Sequence, residues 1–266
     1  MKKILKWAGV LFGVSAAASV ALSLFVSSKK KTCLQGEGWP AMEACSFLVN
    51  WQSGTDKAEY LFRRAQLRAK GQMWDGELAD LEAAAAAGLD AGLAKERLAL
   101  IYGGLVKAYG LKGDAPAVVR SAGLAVQAGI TDPEIHIALA GAYIEEKKFA
   151  EAVELLDRAG SLPNAKKHPY YNMLAAAYGG LGEYEKAYDA LKTALTVPAP
   201  RPVLASTSKN MGLACFELKR YGEAETYLAY ALRAGADCPE CGLLLTTIRG
   251  ALEPAPRPSR AKKQRN

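Results

Sequence analysis

The pair Cys238 and Cys241 is the feature of the sequence closest to a reactive site. In Cys238-Pro-Glu-Cys241 two residues separate the cysteines, as in thiol–disulfide active sites. A helix N-terminus lowers the pKa of a thiol, but this chemistry usually depends on a thioredoxin-like strand–helix context that the helical patterning here does not predict. A local structural disulfide is therefore favoured, and a thiol–disulfide oxidoreductase or redox-responsive chaperone using Cys238 and Cys241 is the alternative.

The remaining cysteines indicate an oxidising compartment. Cys33 and Cys45 are close in sequence, so the chain has two local cysteine pairs and a lone Cys215. Short-range disulfides persist in secreted and periplasmic proteins. A metal site built from all four paired cysteines would lack the two-close-pairs spacing of a zinc ribbon. The pattern favours disulfides Cys33–Cys45 and Cys238–Cys241, no metal site, and a free, buried Cys215.

Histidine chemistry is limited because the chain has only two histidines, His136 and His168. Neither has a carboxylate or a second ligand at helical spacing, so packing or solvent exposure is favoured over metal binding. His168 is predicted to lie in the connection 164–169. The sequence has no phosphate loop, Gly-rich dinucleotide turn or Ser–His–Asp order. We therefore predict a protein that is not an enzyme, with no cofactor and no small-molecule substrate.

The net charge of +7 comes from the two ends of the chain. Residues 1–31 contain six lysines and residues 255–266 contain five basic residues, in both cases without an acid. Residues 32–254 contain 23 basic and 27 acidic residues, a net charge of −4. Since nucleic-acid binding needs a basic face on the folded domain, we predict no nucleic-acid partner.

Residues 7–26 form a run of 20 residues without a charge. A helix of this length spans a hydrocarbon core of about 30 Å. The run is longer than a typical signal-peptide core of roughly 7–15 residues, so an uncleaved transmembrane signal-anchor is favoured over a cleaved signal peptide. Residues 1–6 then form a cytoplasmic tail, because long domains translocate largely regardless of charge. For a bacterium this predicts a single-pass inner-membrane protein whose folded part is periplasmic or extracytoplasmic.

The middle of the chain repeats with offsets of 34 to 37 residues. Three segments share an aromatic side chain or cysteine, an aromatic six residues later and an alanine three residues beyond. These triplets are Tyr143/Phe149/Ala152, Tyr178/Tyr184/Ala187 and Cys215/Tyr221/Ala224. Tyr109 begins a fourth copy, and a fifth near residues 64–76 is degenerate. Periods of 20–50 residues are typical of arrays in which each unit is one supersecondary motif.

The pattern resembles the tetratricopeptide repeat, a helix–turn–helix unit of 34 residues. The resemblance covers about residues 55–235. It implies an all-α fold, a right-handed α-solenoid of tetratricopeptide repeats that follows the N-terminal transmembrane helix. The segment around Cys33 and Cys45 is similar to the cysteine-linked hairpin of membrane-anchored, exported bacterial members. The predicted divisions are a linker with a cysteine-linked half-repeat (27–54), a degenerate first repeat and linker (55–98), repeats (99–237), a capping helix (238–253) and a disordered basic Pro-rich tail (254–266).

The resemblance also implies a binding groove lined by the first helix, helix A, of each repeat. The matching positions hold Lys107, Ile137, Gly141, Ile144, Glu145, Asn172, Ala176, Lys209, Asn210, Leu213 and Phe216. Only fragments of the family's carboxylate clamp are present, so a segment of a protein partner fits better than an acidic C-terminal peptide. The implied function is a non-enzymatic scaffold, adaptor or assembly factor that binds partner polypeptides at the periplasmic face of the membrane.

Overall fold

The structure, a computed structural model, describes residues 2–165 and 167–252, with side chains from residue 18 onward. These ranges contain thirteen α-helices and no strand, which confirms the predicted all-α fold for this part of the chain. The helices are α1 (Lys2–Gln35), α2 (Gly38–Trp51), α3 (Gly54–Lys70), α4 (Trp74–Asp90), α5 (Lys95–Lys112), α6 (Ala115–Gln127), α7 (Pro133–Glu145), α8 (Phe149–Gly160), α9 (His168–Gly180), α10 (Tyr184–Thr196), α11 (Arg201–Glu217), α12 (Tyr221–Arg233) and α13 (Cys241–Leu252).

The chain divides into two compact units, residues 1–135 and 136–266. In the first unit, consecutive helices pack as the pairs α1/α2, α3/α4 and α5/α6. In the second unit, α9/α10 and α11/α12 form the same kind of pair, and α13 packs against α12. The degenerate first repeat corresponds to α3 and α4, and the motif copies at Tyr109, Tyr178 and Cys215 begin on α5, α9 and α11, the first helices of their pairs.

The turns α3–α4, α5–α6, α7–α8, α9–α10 and α11–α12 share one recurring conformation. A residue in the left-handed region stands at the same place each time: Gln72, Gly113, Lys147, Gly182 and Lys219. The following amide donates a hydrogen bond to the carbonyl five residues earlier, as from Arg220 to Cys215 at 2.8 Å and from Glu183 to Tyr178 at 2.9 Å. This pattern is that of a helix C-terminus closed by a left-handed residue. The sequence therefore repeats in its turns as well as in its helices.

Small residues set the distance between helices of the second unit. Ala187, Ala194 and Ala224 are buried on the second helices of their pairs. A Cβ added to Gly180 on α9 would lie 2.3 Å from the Phe149 ring on α8. Close approach of these helices therefore requires the small residues that the repeat pattern supplies.

A disulfide closes the first helical hairpin. Cys33 near the end of α1 is bonded to Cys45 on α2. The Arg63 guanidinium on α3 donates to the backbone carbonyls of Cys33 at 3.3 Å and Gly36 at 2.9 Å. The segment 27–35 continues α1 without a break, so the first part of the predicted linker is helical. The disulfide joins it to α2, and the hydrogen bonds from Arg63 join it to α3.

Within the described residues, none of the helices combines the length and the hydrophobicity that a membrane span requires. The predicted span, residues 7–26, falls mostly on residues 1–17, whose side chains lie outside the described part. The predicted basic tail, residues 254–266, also lies outside the described residues.

The C-terminal end of the second unit is covered by α13. A disulfide joins Cys238 to Cys241, the first residue of α13. Leu245 and Ile248 are buried against the preceding helices. Cys215 is free and buried in the same core, and burial raises the pKa of its thiol to about 11. This cysteine is therefore a packing residue, since a thiol that stays protonated is a poor nucleophile.

Candidate functional site: a cavity on α3, α4 and α5

A cavity of about 800 Å³ lies within the first unit, between α3, α4 and α5. Its apolar lining comes from six large side chains: Phe62, Trp74, Leu78, Leu81, Leu100 and Leu111. Trp74, Leu100 and Leu111 are exposed to solvent. A concave, mainly apolar site with a few polar groups is the usual form of a ligand-binding pocket.

Small residues on the facing helices make room for the cavity. Ala65 and Ala69 on α3 and Ala108 on α5 belong to its lining. Gly104 on α5 is also in the lining, and a Cβ there would lie 3.1 Å from the Leu81 side chain. Helix α5 can thus approach α4 closely while the cavity between α3, α4 and α5 stays open.

A buried ion cluster holds α3 and α4 in register. Asp80 on α4 is buried, and Arg64 on α3 donates to both of its carboxylate oxygens, at 2.8 and 2.6 Å. Arg68 forms a salt bridge with the same carboxylate at 2.7 Å and donates a hydrogen bond to the carbonyl of Gly76 at 2.8 Å. Because two-point Arg–carboxylate pairs are directional, this cluster sets how α3 and α4, which carry two walls of the cavity, face each other.

The last turn of α5 is tied to α4 by a second polar contact. The Tyr109 hydroxyl donates to the Glu82 carboxylate. Burial, assisted by the hydrogen bond to Glu82, raises the pKa of Tyr109 to about 12. The phenol therefore stays protonated and keeps donating at any physiological pH.

Three lysines lie on the cavity wall. Lys70 is paired with Glu37 at 2.9 Å, and Lys112 with Asp75 at 2.6 Å. Lys107 forms no salt bridge within the described part of the chain. Burial raises the pKa of Glu77, and the positive charge of Lys107 partly opposes that shift. The cavity thus combines apolar walls with a cationic side, and Lys107 is the cation available to a ligand.

The other predicted groove residues lie on first helices of the second unit. Ile137, Gly141 and Ile144 are half-buried on α7, and Glu145 is exposed at its end. Ala176, Asn210 and Leu213 are half-buried on α9 and α11. Phe216 packs against Tyr221 with ring centroids 5.8 Å apart. Of the predicted groove residues, Lys107 is the one that lines the cavity.

Two predicted groove residues make internal contacts. The Lys209 ammonium group donates to the backbone carbonyl of Asp237 at 3.2 Å, next to the Cys238–Cys241 disulfide. The Asn172 amide lies 3.1 Å from His168 Nδ1 and donates to Thr207 Oγ1 at 3.0 Å. These side chains therefore stabilise the repeat in addition to any contact with a ligand.

His168 is the centre of this buried polar cluster, and its predicted position in a connection was wrong. It is the first residue of α9, and its side chain is buried. Pro169 in the first turn favours a helix start here, because proline is tolerated where the amide needs no partner. Thr207 lies 3.2 Å from Nε2 and donates to the carbonyl of Val203 at 2.9 Å.

Hydrogen bonding in the cluster assigns the neutral tautomer of His168. The Asn172 amide donates to Nδ1, so the proton is on Nε2 and is donated to Thr207 Oγ1. Burial lowers the pKa of His168, which favours this neutral form. The Asn172 side-chain oxygen is buried without a hydrogen-bond partner among the described residues. The cluster thus joins α9 to α11 by polar contacts that depend on an uncharged imidazole.

Sequence reasoning missed the cavity because α3 and α4 form the degenerate repeat, where the motif is weakest. One signal was available. Trp74, Leu100 and Leu111 are large apolar residues that the packing between paired helices does not use, and they occur near lysines.

The paired helices, the repeated turn and the small residues between helices define a tetratricopeptide-repeat fold. The family model for the tetratricopeptide repeat matches residues 168–199, which include α9 and α10. The predicted resemblance is therefore confirmed at the level of the repeat. No curated protein matches the sequence significantly.

Solved structures share the fold. YrrB, described as a tetratricopeptide-repeat protein with an unusual peptide-binding site, aligns with a TM-score of 0.59 at 17% identity, over 79% of this chain and 100% of YrrB. BtubC from P. vanneervenii aligns with 0.57 at 17% identity, over 90% and 96%. A chain of the Cut9–Hcn1 hetero-tetramer of the APC/C aligns with 0.56 at 13% identity. That alignment covers 80% of this chain and 42% of the other chain. At such identities the likeness concerns the fold alone.

Proposed function

We propose that the protein is a non-enzymatic scaffold that binds a segment of a partner polypeptide in the cavity between α3, α4 and α5. The observation that carries this proposal is a cavity of about 800 Å³ with exposed Trp74, Leu100 and Leu111 on its apolar side and Lys107 on its polar side. A peptide with a large apolar side chain next to a carboxylate would satisfy both features. YrrB, which has the same fold, is itself described as having a peptide-binding site.

The proposal includes an N-terminal anchor in the bacterial inner membrane, formed by residues 7–26, with residues 1–6 cytoplasmic and the repeats periplasmic or extracytoplasmic. The uncharged run of 20 residues supports the anchor. Two disulfides support the compartment, because such bonds persist mainly outside the cytoplasm. In this arrangement the protein would act as an adaptor or assembly factor that holds its partner beside the membrane.

The thiol–disulfide alternative is disfavoured by burial. Cys238 is 7% exposed and Cys241 is fully buried. Thiol–disulfide exchange requires a thiolate to reach one of the two sulfurs. The short disulfide instead closes the turn that leads into α13, next to the Lys209–Asp237 contact, where it supports the end of the repeat array.

Site-specific photo-crosslinking in intact cells tests the cavity. A photoreactive amino acid replaces Leu100, which lines the cavity and is 53% exposed, or Leu124 on α6, which is 51% exposed and not in the lining. We expect a discrete crosslinked partner from position 100 and none from position 124. Equal crosslinking from both positions, or none from position 100, would contradict the proposal.

Protease added to spheroplasts tests the compartment. We expect the repeats to be digested while a short N-terminal fragment stays with the membrane. A repeat domain protected until the membrane is permeabilised would show that it faces the cytoplasm.

A further inference from the structure

Three aromatic rings connect the end of the predicted membrane anchor to α2. Phe25 on α1 and Phe47 on α2 pack edge to face with centroids 5.5 Å apart. Phe47 in turn stacks on Trp51, with centroids 5.8 Å apart. Since Phe25 is the last residue but one of the apolar run, this contact places Phe47, in the last turns of α2, beside the point where that run ends.

The hairpin geometry explains why α2 returns to this level. Helix α1 continues for nine residues beyond Val26, a rise of about 13 Å, before the chain turns at Gly36. Helix α2 then runs back along α1 for 14 residues, a length of about 21 Å. Its C-terminal end therefore reaches past Val26 and lies beside the last turns of the apolar run. The Cys33–Cys45 disulfide and the hydrogen bonds from Arg63 fix this hairpin to α3.

The surface at the open end of the hairpin is apolar and exposed. Trp51 is 72% exposed, and Phe25, Leu22 and Leu24 on α1 are also exposed. Tryptophan combines a large apolar body with an N–H donor, which suits a boundary between hydrocarbon and water. Single exposed apolar residues are normal on a protein surface, whereas a continuous exposed aromatic cluster indicates an interaction site.

Lysines outnumber acidic residues in the segments that form this surface. Residues 25–31 and 47–57 contain four lysines and a single acidic residue, Asp56. Lys29 lies over the Phe25 ring at 5.6 Å, and Lys30 is paired with Asp56 at 3.3 Å. Anionic lipid headgroups attract basic residues held near a membrane surface. The lysines, the aromatic rings and the continuity with the apolar run all favour a lipid surface as the partner of this end of the hairpin.

We propose that the open end of the α1–α2 hairpin, formed by Phe25, Lys29, Phe47 and Trp51, docks onto the headgroup layer of the membrane in which residues 7–26 are anchored. This inference rests on the proposed anchor. It adds that the first repeat is held against the membrane by a second contact in a defined orientation. The end of α2 that carries Trp51 faces the lipid, and the end that carries Trp39 faces away.

Trp39 provides a matched control for Trp51. Both lie on α2, and their exposures are similar, 70% and 72%. Twelve residues of helix separate them, a distance of about 18 Å. A probe of membrane depth should therefore distinguish these two side chains although a probe of solvent exposure in the absence of membrane would not.

The test uses the full chain in nanodiscs of phosphatidylcholine and phosphatidylglycerol, with brominated lipid as a fluorescence quencher. Three variants each keep one tryptophan, at position 7, 39 or 51, and carry phenylalanine at the other three tryptophan positions. The bromine atoms are placed near the headgroup end of the acyl chains. We expect loss of fluorescence for Trp51 and little or no loss for Trp39, with circular dichroism showing that each variant keeps its helical content.

The Trp7 variant separates the two proposals. Quenching of Trp7 without quenching of Trp51 would overturn the docking while the anchor stands, and an unquenched Trp7 would overturn both. Equal quenching of Trp39 and Trp51 would overturn the orientation. A Trp51 that is shielded from aqueous acrylamide but not quenched by lipid would show that a second copy covers the surface, which also overturns the inference.

Discussion

Gly212 on α11 lies directly against Leu228 on α12. A Cβ added to Gly212 would be 2.6 Å from Leu228 Cγ and 3.1 Å from the Leu228 backbone nitrogen. The backbone contact prevents simple side-chain adjustment, so the two helices can reach this separation only with glycine at position 212. The repeat is thus maintained by the absence of a side chain at one position and a fully buried leucine at the other.

Gly212→Ala should therefore lower the free energy of unfolding by about 1–3 kcal/mol, because the added methyl overpacks the contact. Gly103→Ala on α5 is the matched control, since a Cβ there meets nothing within 4 Å. That change should stabilise the protein by about 0.5–1 kcal/mol, as alanine is the better helix former. Urea denaturation of the full chain in detergent, followed by circular dichroism, measures both. Equal effects would mean that α11 and α12 can separate freely.

Lys219→Gly should raise stability by about 0.5–1 kcal/mol. Lys219 is exposed with φ of 60°, a left-handed conformation that glycine adopts without the cost a lysine incurs. Lys192→Gly, at an exposed position in α10, should instead cost about 1 kcal/mol. Opposite signs in thermal unfolding are the expected result. A destabilising Lys219→Gly would show that the lysine side chain contributes more than the turn geometry.

Stability should fall as the pH drops below about 6.5, the ordinary pKa of histidine. Burial lowers the pKa of His168 in the folded protein, so the unfolded chain takes up a proton first. The contribution of neutral His168 is complete above the unfolded pKa and is lost as the pH falls toward the folded pKa. Chemical denaturation at a series of pH values measures the slope.

His168→Gln should reduce this pH dependence. Thr207→Val, which removes a partner hydroxyl but retains the histidine, should lower stability by about 1–3 kcal/mol and leave a pH dependence in place. An unchanged slope in His168→Gln would assign the acid sensitivity to other groups.

Asp80→Asn should destabilise the first unit by about 3–5 kcal/mol. The change leaves the Arg64 and Arg68 guanidinium groups half-buried without a carboxylate partner. Asp75→Asn is the control, because Asp75 is almost fully exposed in its pair with Lys112. Exposed pairs contribute at most about 1 kcal/mol. A small loss for Asp80→Asn, measured by calorimetry, would mean that the arginines find other partners.

Lys107→Glu should abolish photo-crosslinking of the partner from position 100, while circular dichroism shows that the variant keeps its helical content. The substitution reverses the charge of the one cavity lysine that has no salt bridge among the described residues, so it repels a carboxylate on the partner. Lys95→Glu changes an exposed lysine on the same helix outside the cavity lining and should leave the crosslink intact. Loss of the crosslink in both variants would indicate a diffuse electrostatic effect.

Features that depend on neighbouring residues could be read from the sequence. The spacing of Tyr143, Tyr178 and Cys215 predicted helix pairs because each motif spans one hairpin, and the turn residues Gly113 and Gly182 close those hairpins by local hydrogen bonds. The sequence also predicts the disulfides Cys33–Cys45 and Cys238–Cys241, because the two cysteines of each pair are close along the chain. Short loops and the periodicity of a helix depend on residues that lie within a few helical turns of one another along the chain.

Only the tertiary structure decided which side chains meet across repeats. His168 and Thr207 are 39 residues apart in the chain, and their hydrogen bond depends on the angle between α9 and α11. The cavity needs Trp74, Leu100 and Leu111 to remain uncovered, which depends on where Gly104 and the Arg64–Asp80 pair place three helices. Asn172 and Lys209 matched a binding pattern by position, yet their polar groups bind within the fold. The helix period specifies which face a residue occupies, whereas helix separation and crossing angle determine what that residue contacts.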